Sequence, residues 1–191
     1  MKFMYMLAPL ELVSDNSFRE LCFNHGADLT FSEMARLDAI VRKNKSTAKR
    51  IEILNKVPTQ IQFAANKEKQ ILKFLKSFKA PESFKGFNLN LGCPGPEVIQ
   101  VGLGASLIKR IKKVDSMVKV FKDHNFSCSI KMRLGLNKYE KEKKIYLNLI
   151  KQVDADFFIV HPRHAKEDST TTPDESVYTE CVDTGKNIIA N

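Results

Sequence analysis

The sequence has few cysteines, and none is placed as a metal site or a disulfide framework would require. The four cysteines are Cys22, Cys93, Cys128 and Cys181. They are widely spaced, form no Cys-x-x-Cys pair and have no histidine at the spacing of a zinc ligand. We therefore expect no metal site and no disulfides, and we interpret all four residues as reduced thiols.

Long apolar runs are also missing. The apolar stretch within Met1–Leu10 is followed at once by Glu11, which makes it too short for a membrane span or a complete signal peptide. Hydrophobic residues make up 43% of the 191 residues, enough for one substantial core. From this composition and the short N-terminal apolar stretch we expect a soluble, cytoplasmic protein. Because the chain has no internal repeat and no low-complexity segment, we expect residues 1–191 to form one domain.

The charge is strongly positive, with 31 Lys and Arg against 22 Asp and Glu, a formal net charge of +9. Nucleic acid is the natural partner of such a chain. Lysines that only solvate helix faces explain the composition equally well. The clusters within 42–50 and 109–113 are the patches that a phosphate backbone could use, and neither is interleaved with aromatic residues.

Short apolar runs alternate with amphipathic stretches along the chain. The runs predict strands at Phe3–Ala8, Leu29–Ser32, Thr59–Ala64, Gly86–Leu91, Ser127–Met132, Phe157–Val160 and Asn187–Ala190. The stretches between them predict helices at Ser17–Asn24, Lys67–Ser77, Ala105–Asp123 and Lys138–Gln152. In the last helix, Tyr139, Ile145, Leu149 and Ile150 are expected to form the apolar side. This repeated βα unit indicates an α/β chain built as a (β/α)8 barrel of the TIM type.

The strand count does not complete such a barrel. The seventh predicted strand coincides with the last residues of the chain, whereas eight-stranded barrels typically have about 250 residues. We therefore expect a barrel truncated after about its seventh strand, with an open sheet edge.

Cys93 stands out because of its neighbours in Asn88–Gly95. An apolar strand there is followed by Gly92, which lets the backbone turn, and by Pro94, which prevents the strand from continuing. The thiol is thus expected at the carboxyl end of a strand, where α/β proteins place reactive groups. The alternative is a cysteine that serves as a small buried apolar residue.

Polar residues follow most of the predicted strands and could meet at one barrel mouth. They are Pro9, Glu33, Gln62, Asn90, Cys93, Lys131, Arg133, His161 and Arg163. Amides that bind ring edges and a cation that stabilises an anionic reduced ring suit a flavin. The lone Gly-x-Gly at Gly102–Gly104 follows a helical turn and lacks the third glycine of a dinucleotide-binding motif, so nicotinamide is less favoured at this site.

Several segments, in their order along the chain, resemble the motifs of the tRNA-dihydrouridine synthases. The most specific are Asn90-Leu91-Gly92-Cys93-Pro94, Lys131-Met132-Arg133-Leu134-Gly135 and Val160-His161-Pro162-Arg163. The resemblance extends over essentially the whole chain, from Leu7–Leu10 to Ile189–Asn191. It implies an FMN-dependent barrel that uses NADPH to reduce uridine in tRNA to 5,6-dihydrouridine. It also implies a C-terminal helical domain that helps to hold the tRNA and that we expect to be absent here.

The resemblance gives Cys93 the role of general acid toward uracil C5, while reduced flavin delivers hydride to C6. An unperturbed thiol, with a pKa of about 8.5, is mostly protonated at neutral pH and suits that role. The cofactor-binding residues implied are Pro9, Leu10, Gln62, Asn90, Lys131, His161 and Asn191. Arg133 and Arg163 are implied to approach the target base or tRNA phosphates. Gln60, on the same strand face, is the rival of Gln62, and His25, His124 and His164 are interpreted as ordinary surface or loop residues.

The chain departs from the family pattern at three places. Leu10 replaces the usual methionine, and Ala65 replaces a glycine common after strand three. The turns after strands seven and eight hold the FMN phosphate in the family; here we expect the first to be cut at Asn191 and the second to be absent. Two alternatives stay open at this point: a non-catalytic RNA-binding remnant, and a flavin barrel dehydrogenase that acts on a free pyrimidine. The sequence does not determine the oligomeric state.

Overall fold

Strands and helices alternate through the computed structural model, which describes residues 4–191. The strands are β1 Met6–Leu7, β2 Leu29–Phe31, β3 Ala35–Arg36, β4 Thr59–Ala64, β5 Phe84–Leu91, β6 Cys128–Met132, β7 Phe158–Val160 and β8 Ile188–Ala190. The helices are α1 Asn16–Asn24, α2 Leu37–Val41, α3 Lys45–Lys49, α4 Glu68–Leu75, α5 Pro96–Ile99, α6 Ile111–Asp123, α7 Lys138–Glu142, α8 Ile145–Gln152 and α9 Val177–Val182. A 3-10 helix, Gly104–Leu107, lies between α5 and α6.

The chain divides into two compact units, one ending at Asn88 and the other running from Leu89 to Asn191. In the first unit the strand order is β1-β2-β4-β5, and β3 pairs with β4 as well. In the second unit the order is β5-β6-β7-β8, because the end of β5 belongs to this unit. The pairs β1 with β2, β2 with β4, β6 with β7 and β7 with β8 are all parallel. The predicted α/β class, built from parallel βα units of the (β/α)8 type, is confirmed; the sheet contains the seven predicted strands and the short additional strand β3.

All seven predicted strands are present, most of them shorter than expected. The predicted start of the first strand, Phe3, lies outside the described residues. The additional strand β3 was missed because it has two residues and follows polar Ser32 and Glu33.

A β-bulge separates β2 from β3. Phe31 is opposite Gln60 and Ala35 is opposite Phe63. The chain therefore advances four residues from β2 to β3 while β4 advances three. The additional residue interrupts the pairing and turns the chain locally. Glu33, in this interruption, has its side chain buried.

The core of the first unit contains a cluster of phenylalanines. Phe63 of β4 and Phe87 of β5 stack with ring centroids 5.6 Å apart, and Phe74 of α4 meets Phe63 edge to face at 5.0 Å. The ring centroids of Phe84 and Phe87 lie 4.8 Å apart. Each ring buries a large apolar area, and the pair geometries are those that aromatic rings favour.

The core of the second unit lies between its strands and helix α6. Ile130 of β6 and Phe158 of β7 are fully buried, as are Val114, Val118 and Phe121 of α6. These helix positions follow the 3.6-residue period, so one face of α6 covers the sheet.

Two predicted helices are each broken into two pieces. The predicted helix Ala105–Asp123 begins as the 3-10 helix and becomes α-helical only at Ile111. The predicted helix Lys138–Gln152 breaks before α8, because Lys144 adopts a left-handed φ of 50°. The break changes the helical phase, so Tyr139 is 65% exposed and Tyr146, rather than Tyr139, joins Leu149 in the core. The predicted apolar side was therefore wrong at Tyr139.

Candidate functional site

Cys93 lies two residues beyond β5 and has both of its peptide groups hydrogen-bonded. The Oδ1 atom of Asn90 accepts the N–H of Cys93 at 2.9 Å and that of Gly92 at 3.1 Å. The N–H of Ala105 donates to the carbonyl of Cys93 at 3.1 Å. The side chain is half-buried. The predicted placement of the thiol at the end of a strand is thus observed, and Asn90 determines its local backbone.

Lys131 and Asn191 meet near the carboxyl ends of β6 and β8. Lys131 Nζ donates to Asn191 Oδ1 at 2.5 Å. The backbone N–H of Asn191 extends the β7–β8 pairing by donating to the carbonyl of Val160 at 3.1 Å. His161 extends the β6–β7 pairing in the same way, with its N–H 2.9 Å from the carbonyl of Met132. Three neighbouring strand ends of the second unit therefore present a lysine, a histidine and an amide together.

This group is rich in positive charge, and Lys131 and His161 in it are half-buried, whereas Asn191 is exposed. Burial lowers the pKa of Lys131 to about 8, with a further contribution from the Arg133 guanidinium. Burial lowers the pKa of His161 to about 4, and the charges of Arg133, Lys131 and Arg163 act in the same direction. His161 is therefore neutral at pH 7, while Lys131 stays mostly protonated. Such mutual repulsion is relieved when an anion binds.

Arg133 connects Cys93 with this group. A Cβ placed on Gly92 would lie 3.7 Å from Arg133 Cγ, so the turn before Cys93 packs on the Arg133 side chain. The Arg133 pKa is lowered by burial and by Arg163, and partly restored by Glu167 and Cys93. One of its guanidinium nitrogens donates to the carbonyl of His164 at 3.0 Å.

Arg163 binds its own loop. Its Nε donates to the carbonyl of Thr171 at 2.7 Å and its Nη2 to that of Ser169 at 3.2 Å. Its Nη1 lies 3.5 Å from His161 Nε2. The guanidinium thus holds the loop that follows β7, and its contact with base or tRNA stays a prediction.

In the first unit, both candidate glutamines are buried on the same face of β4. Gln62 Nε2 donates to Asn88 Oδ1 at 2.7 Å. Gln60 Nε2 donates to the carbonyl of Lys85 at 3.1 Å. Gln62 thus takes part in an amide pair with a residue of β5, whereas Gln60 satisfies a backbone carbonyl. The choice of Gln62 as the cofactor ligand stays a prediction.

The turn after β1 carries Pro9 and Leu10. The hydroxyl of Ser14 accepts the N–H of Leu10 at 3.0 Å and donates to its carbonyl at 2.9 Å. Within the turn, Leu12 has a left-handed φ of 62°, and its N–H donates to Glu33 Oε2 at 2.7 Å. Glu33, expected at the strand ends, therefore positions this turn. Backbone contacts of Pro9 and Leu10 with FMN stay a prediction.

The sequence reasoning missed three residues of these sites. Asn88 stands two residues before Asn90 on β5, so the period-2 rule could have placed both on one face. Tyr178 donates its hydroxyl to the carbonyl of Asn191 at 3.0 Å and accepts its N–H at 3.2 Å, and no motif indicates it. His164, interpreted as an ordinary loop residue, has a side chain that is 12% exposed and lies 3.7 Å from Glu167. His164 thus lies in a loop, as interpreted, but its side chain is largely buried there.

The described part of the chain has neither a candidate metal site nor a helix that could cross a membrane. Across residues 4–191, no group of three or more His, Cys, Asp or Glu side chains is arranged to hold a metal ion. Within the same residues, no helix is both long enough and apolar enough to span a membrane.

The fold and the site together define a class of protein: a parallel βα protein with a thiol and a cationic group at its strand ends. A model of the dihydrouridine synthase (Dus) family matches residues 6–182. The chain belongs to this family.

The curated relatives carry the same kind of name. Over 163 residues the chain is 30% identical to a probable tRNA-dihydrouridine synthase of Helicobacter pylori, covering 82% of this chain and 48% of that protein. It is 25% identical to tRNA-dihydrouridine synthase B of Pseudomonas syringae, covering 83% of this chain and 47% of the relative. It is also 25% identical to a tRNA-dihydrouridine(47) synthase [NAD(P)(+)] of Yarrowia lipolytica, covering 94% and 30% respectively. The chain spans about half the length of the bacterial relatives it matches.

Proposed function

We propose that this chain is the FMN-dependent catalytic barrel portion of a tRNA-dihydrouridine synthase, which reduces uridine in tRNA to 5,6-dihydrouridine. The observation that carries the proposal is the arrangement of residues in the second unit. The backbone of Cys93 is fixed by hydrogen bonds, its turn packs on Arg133, and Arg133 lies near Lys131 and His161. Family membership and the names of the relatives support the same reaction.

The residues present fit FMN. Lys131 has a pKa lowered to about 8 and a single amide oxygen, that of Asn191, as its hydrogen-bond partner in the described residues, so an anion would stabilise its charged form. We propose Lys131, His161, Asn191 and Asn90 as the cofactor-binding residues of this unit. When bound, FMN supplies the hydride that is added to uracil C6, with NADPH as the reductant.

His161 can bind the cofactor as an uncharged imidazole. Because its pKa is about 4, it offers one N–H and one lone pair at pH 7 and adds no charge to the three cations around it. It can therefore bind a ring or ribityl group without increasing the repulsion. Pro9, Leu10 and Gln62 of the first unit are proposed as further cofactor contacts on the basis of the motif resemblance alone.

Cys93 is the proton donor for uracil C5 in this proposal. Hydride addition to a carbonyl conjugated with a C–C double bond leaves an enolate, and a proton must reach C5 to complete the reduction. The Cys93 Sγ donates that proton and becomes a thiolate, which the adjacent Arg133 guanidinium stabilises. Reprotonation from solvent then restores the thiol.

The proposed partner is tRNA. Arg42, Lys43 and Lys45 are exposed at the α2–α3 corner of the first unit, and Lys112 and Lys113 are exposed on α6 of the second. Some of this charge is neutralised locally, since Arg42 pairs with Asp38 at 2.9 Å. The exposed remainder can contact phosphates without sequence specificity. Arg133 and Arg163 are proposed to approach the base or its phosphates.

The test supplies the chain with FMN, NADPH and unmodified tRNA, and measures dihydrouridine by its mass gain of two hydrogens. Reduction that depends on both FMN and tRNA supports the proposal. Retention of tRNA without reduction at saturating FMN would instead assign a non-catalytic RNA-binding role. Reduction of free uridine or uracil with no reduction of tRNA would assign a flavin dehydrogenase of free pyrimidines.

A further inference from the structure

Gly104 approaches Cys93 more closely than any other residue type could. A Cβ at position 104 would lie 2.5 Å from the carbonyl oxygen of Cys93, 3.2 Å from Cys93 Cβ and 2.9 Å from Val98 Cγ1. Gly104 also has a left-handed φ of 58°. Side-chain carbons do not come within 3 Å of another heavy atom without displacing it, so the close approach requires glycine.

The close approach permits a specific hydrogen bond. Because the backbone at Gly104 lies against Cys93, the next N–H, that of Ala105, reaches the Cys93 carbonyl at 3.1 Å. On the other side, Asn90 Oδ1 accepts the Cys93 N–H at 2.9 Å. Both peptide groups of Cys93 are thereby fixed, and with them the direction of its Cα–Cβ bond.

We propose that Gly104 is a positioning residue for Cys93: it allows the loop after β5 to return and clamp the Cys93 carbonyl, so that the thiol is held in one direction. The proposal rests on the proposed function, in which Cys93 donates a proton to uracil C5. A proton donor must lie within hydrogen-bond reach of its target, so its backbone needs support of this kind.

The chain contains a matched control for the backbone conformation. Gly185, after α9 in the same unit, has a φ of 75°, and a Cβ there would meet nothing within 4 Å. Gly104→Ala and Gly185→Ala therefore both place an alanine at a positive φ. Only Gly104→Ala also forces an atom against Cys93.

The experiment measures alkylation of each cysteine by iodoacetamide across a pH series, with peptide mapping by mass. In Gly104→Ala we expect the Cys93 rate constant and its pH midpoint to change, because the thiol moves relative to Arg133. Half-buried Cys22, in the other unit, should keep its rate, and the buried Cys128 and Cys181 should stay unreactive as evidence of an intact fold. Gly185→Ala should change none of these. Reduction of tRNA should fall about 10²-fold in Gly104→Ala alone.

A second variant separates Cys93 from Val98. Gly104→Ala combined with Val98→Ala removes the 2.9 Å contact with the valine and leaves the contacts with Cys93. Altered Cys93 alkylation in this folded variant supports the proposal, whereas parental alkylation in either folded variant overturns it. If Cys128 and Cys181 become reactive in both variants, Gly104 serves the fold rather than Cys93, and the proposal also fails.

The two proposals fail in different ways. Altered alkylation in Gly104→Ala together with undiminished tRNA reduction in Cys93→Ala would keep the positioning role and remove the proton-donor role. Unaltered alkylation would remove the positioning role whatever the activity of Cys93→Ala.

Discussion

Lys131 Nζ donates a hydrogen bond of 2.5 Å to Asn191 Oδ1 across strand β7. Lys131 is opposite Ile159 and Ile159 is opposite Ile189, so the bond spans the width of two strand pairs. The Tyr178 hydroxyl makes two hydrogen bonds to the backbone of Asn191. The ammonium is therefore held at the strand ends, in surroundings that lower its pKa to about 8. It is available there to neutralise a bound anion.

We expect Lys131→Met to lower the reduction potential of bound flavin and to weaken FMN binding. A charge-assisted hydrogen bond is worth about 1.5–3 kcal/mol, which corresponds to a loss of affinity of roughly tenfold to hundredfold. Redox titration and FMN titration measure the two effects. Lys138→Met, at an exposed position of α7, is the control. An unchanged potential with normal cofactor content would place Lys131 outside the flavin site.

His161 should make the protein sensitive to acid. Its pKa falls from 6.5 to about 4 in the folded chain, chiefly because of burial, so between these values the unfolded state binds a proton that the folded state does not. The free energy of unfolding therefore decreases as the pH falls from about 6.5 to about 4, and this contribution then levels off. In His161→Gln that part of the pH dependence should disappear. Urea denaturation at several pH values measures it.

The control for the pH prediction is His124→Gln. His124 is an exposed residue at the end of α6, away from the cationic group. If His124→Gln and His161→Gln flatten the pH dependence equally, or if neither does, burial of His161 is not the cause.

Most strands could be predicted because a strand buried on both faces needs a continuous apolar run. Phe158–Val160 shows this, since all three residues are apolar and buried. Thr59–Ala64 is less regular, because its six buried residues include both glutamines. The strand β3 was missed because the bulge at Ser32–Met34 interrupts the pattern that marks a strand. The left-handed Lys144 was missed because a lysine carries no signal for a positive φ.

The site could be predicted where a residue follows a strand, and less well where it acts through the backbone. Cys93 and Lys131 stand at strand ends that their own motifs mark. Tyr178 contributes through hydrogen bonds to the main chain of Asn191, and such contacts leave no pattern in a single sequence. The sequence did not indicate that Asn90 Oδ1 accepts the N–H groups of Gly92 and Cys93, and a contact of Asn90 with the cofactor stays a prediction.

Glu33 should be important for the turn that carries Pro9 and Leu10. Its buried carboxylate accepts the N–H of Leu12 at 2.7 Å. Glu33→Ala leaves that N–H without its partner, so we expect a loss of about 1.5–3 kcal/mol in the free energy of unfolding. Glu33→Gln keeps an acceptor and should lose less. Equal losses in the two variants, measured by urea denaturation, would show that the Leu12 hydrogen bond is not the cause.

Cys93→Ala should leave FMN affinity unchanged and reduce the rate of tRNA uridine reduction by about 10²- to 10⁴-fold, the usual contribution of a general acid. Cys93→Ser should fall between the alanine variant and the parent, because a hydroxyl is a much weaker acid than a thiol. The matched control is Cys22→Ala, which removes the other half-buried thiol from helix α1 and should leave the rate unchanged. Single-turnover reduction of tRNA by the flavin-reduced protein measures the step directly. A parental rate in Cys93→Ala would show that the proton reaches uracil C5 from another group.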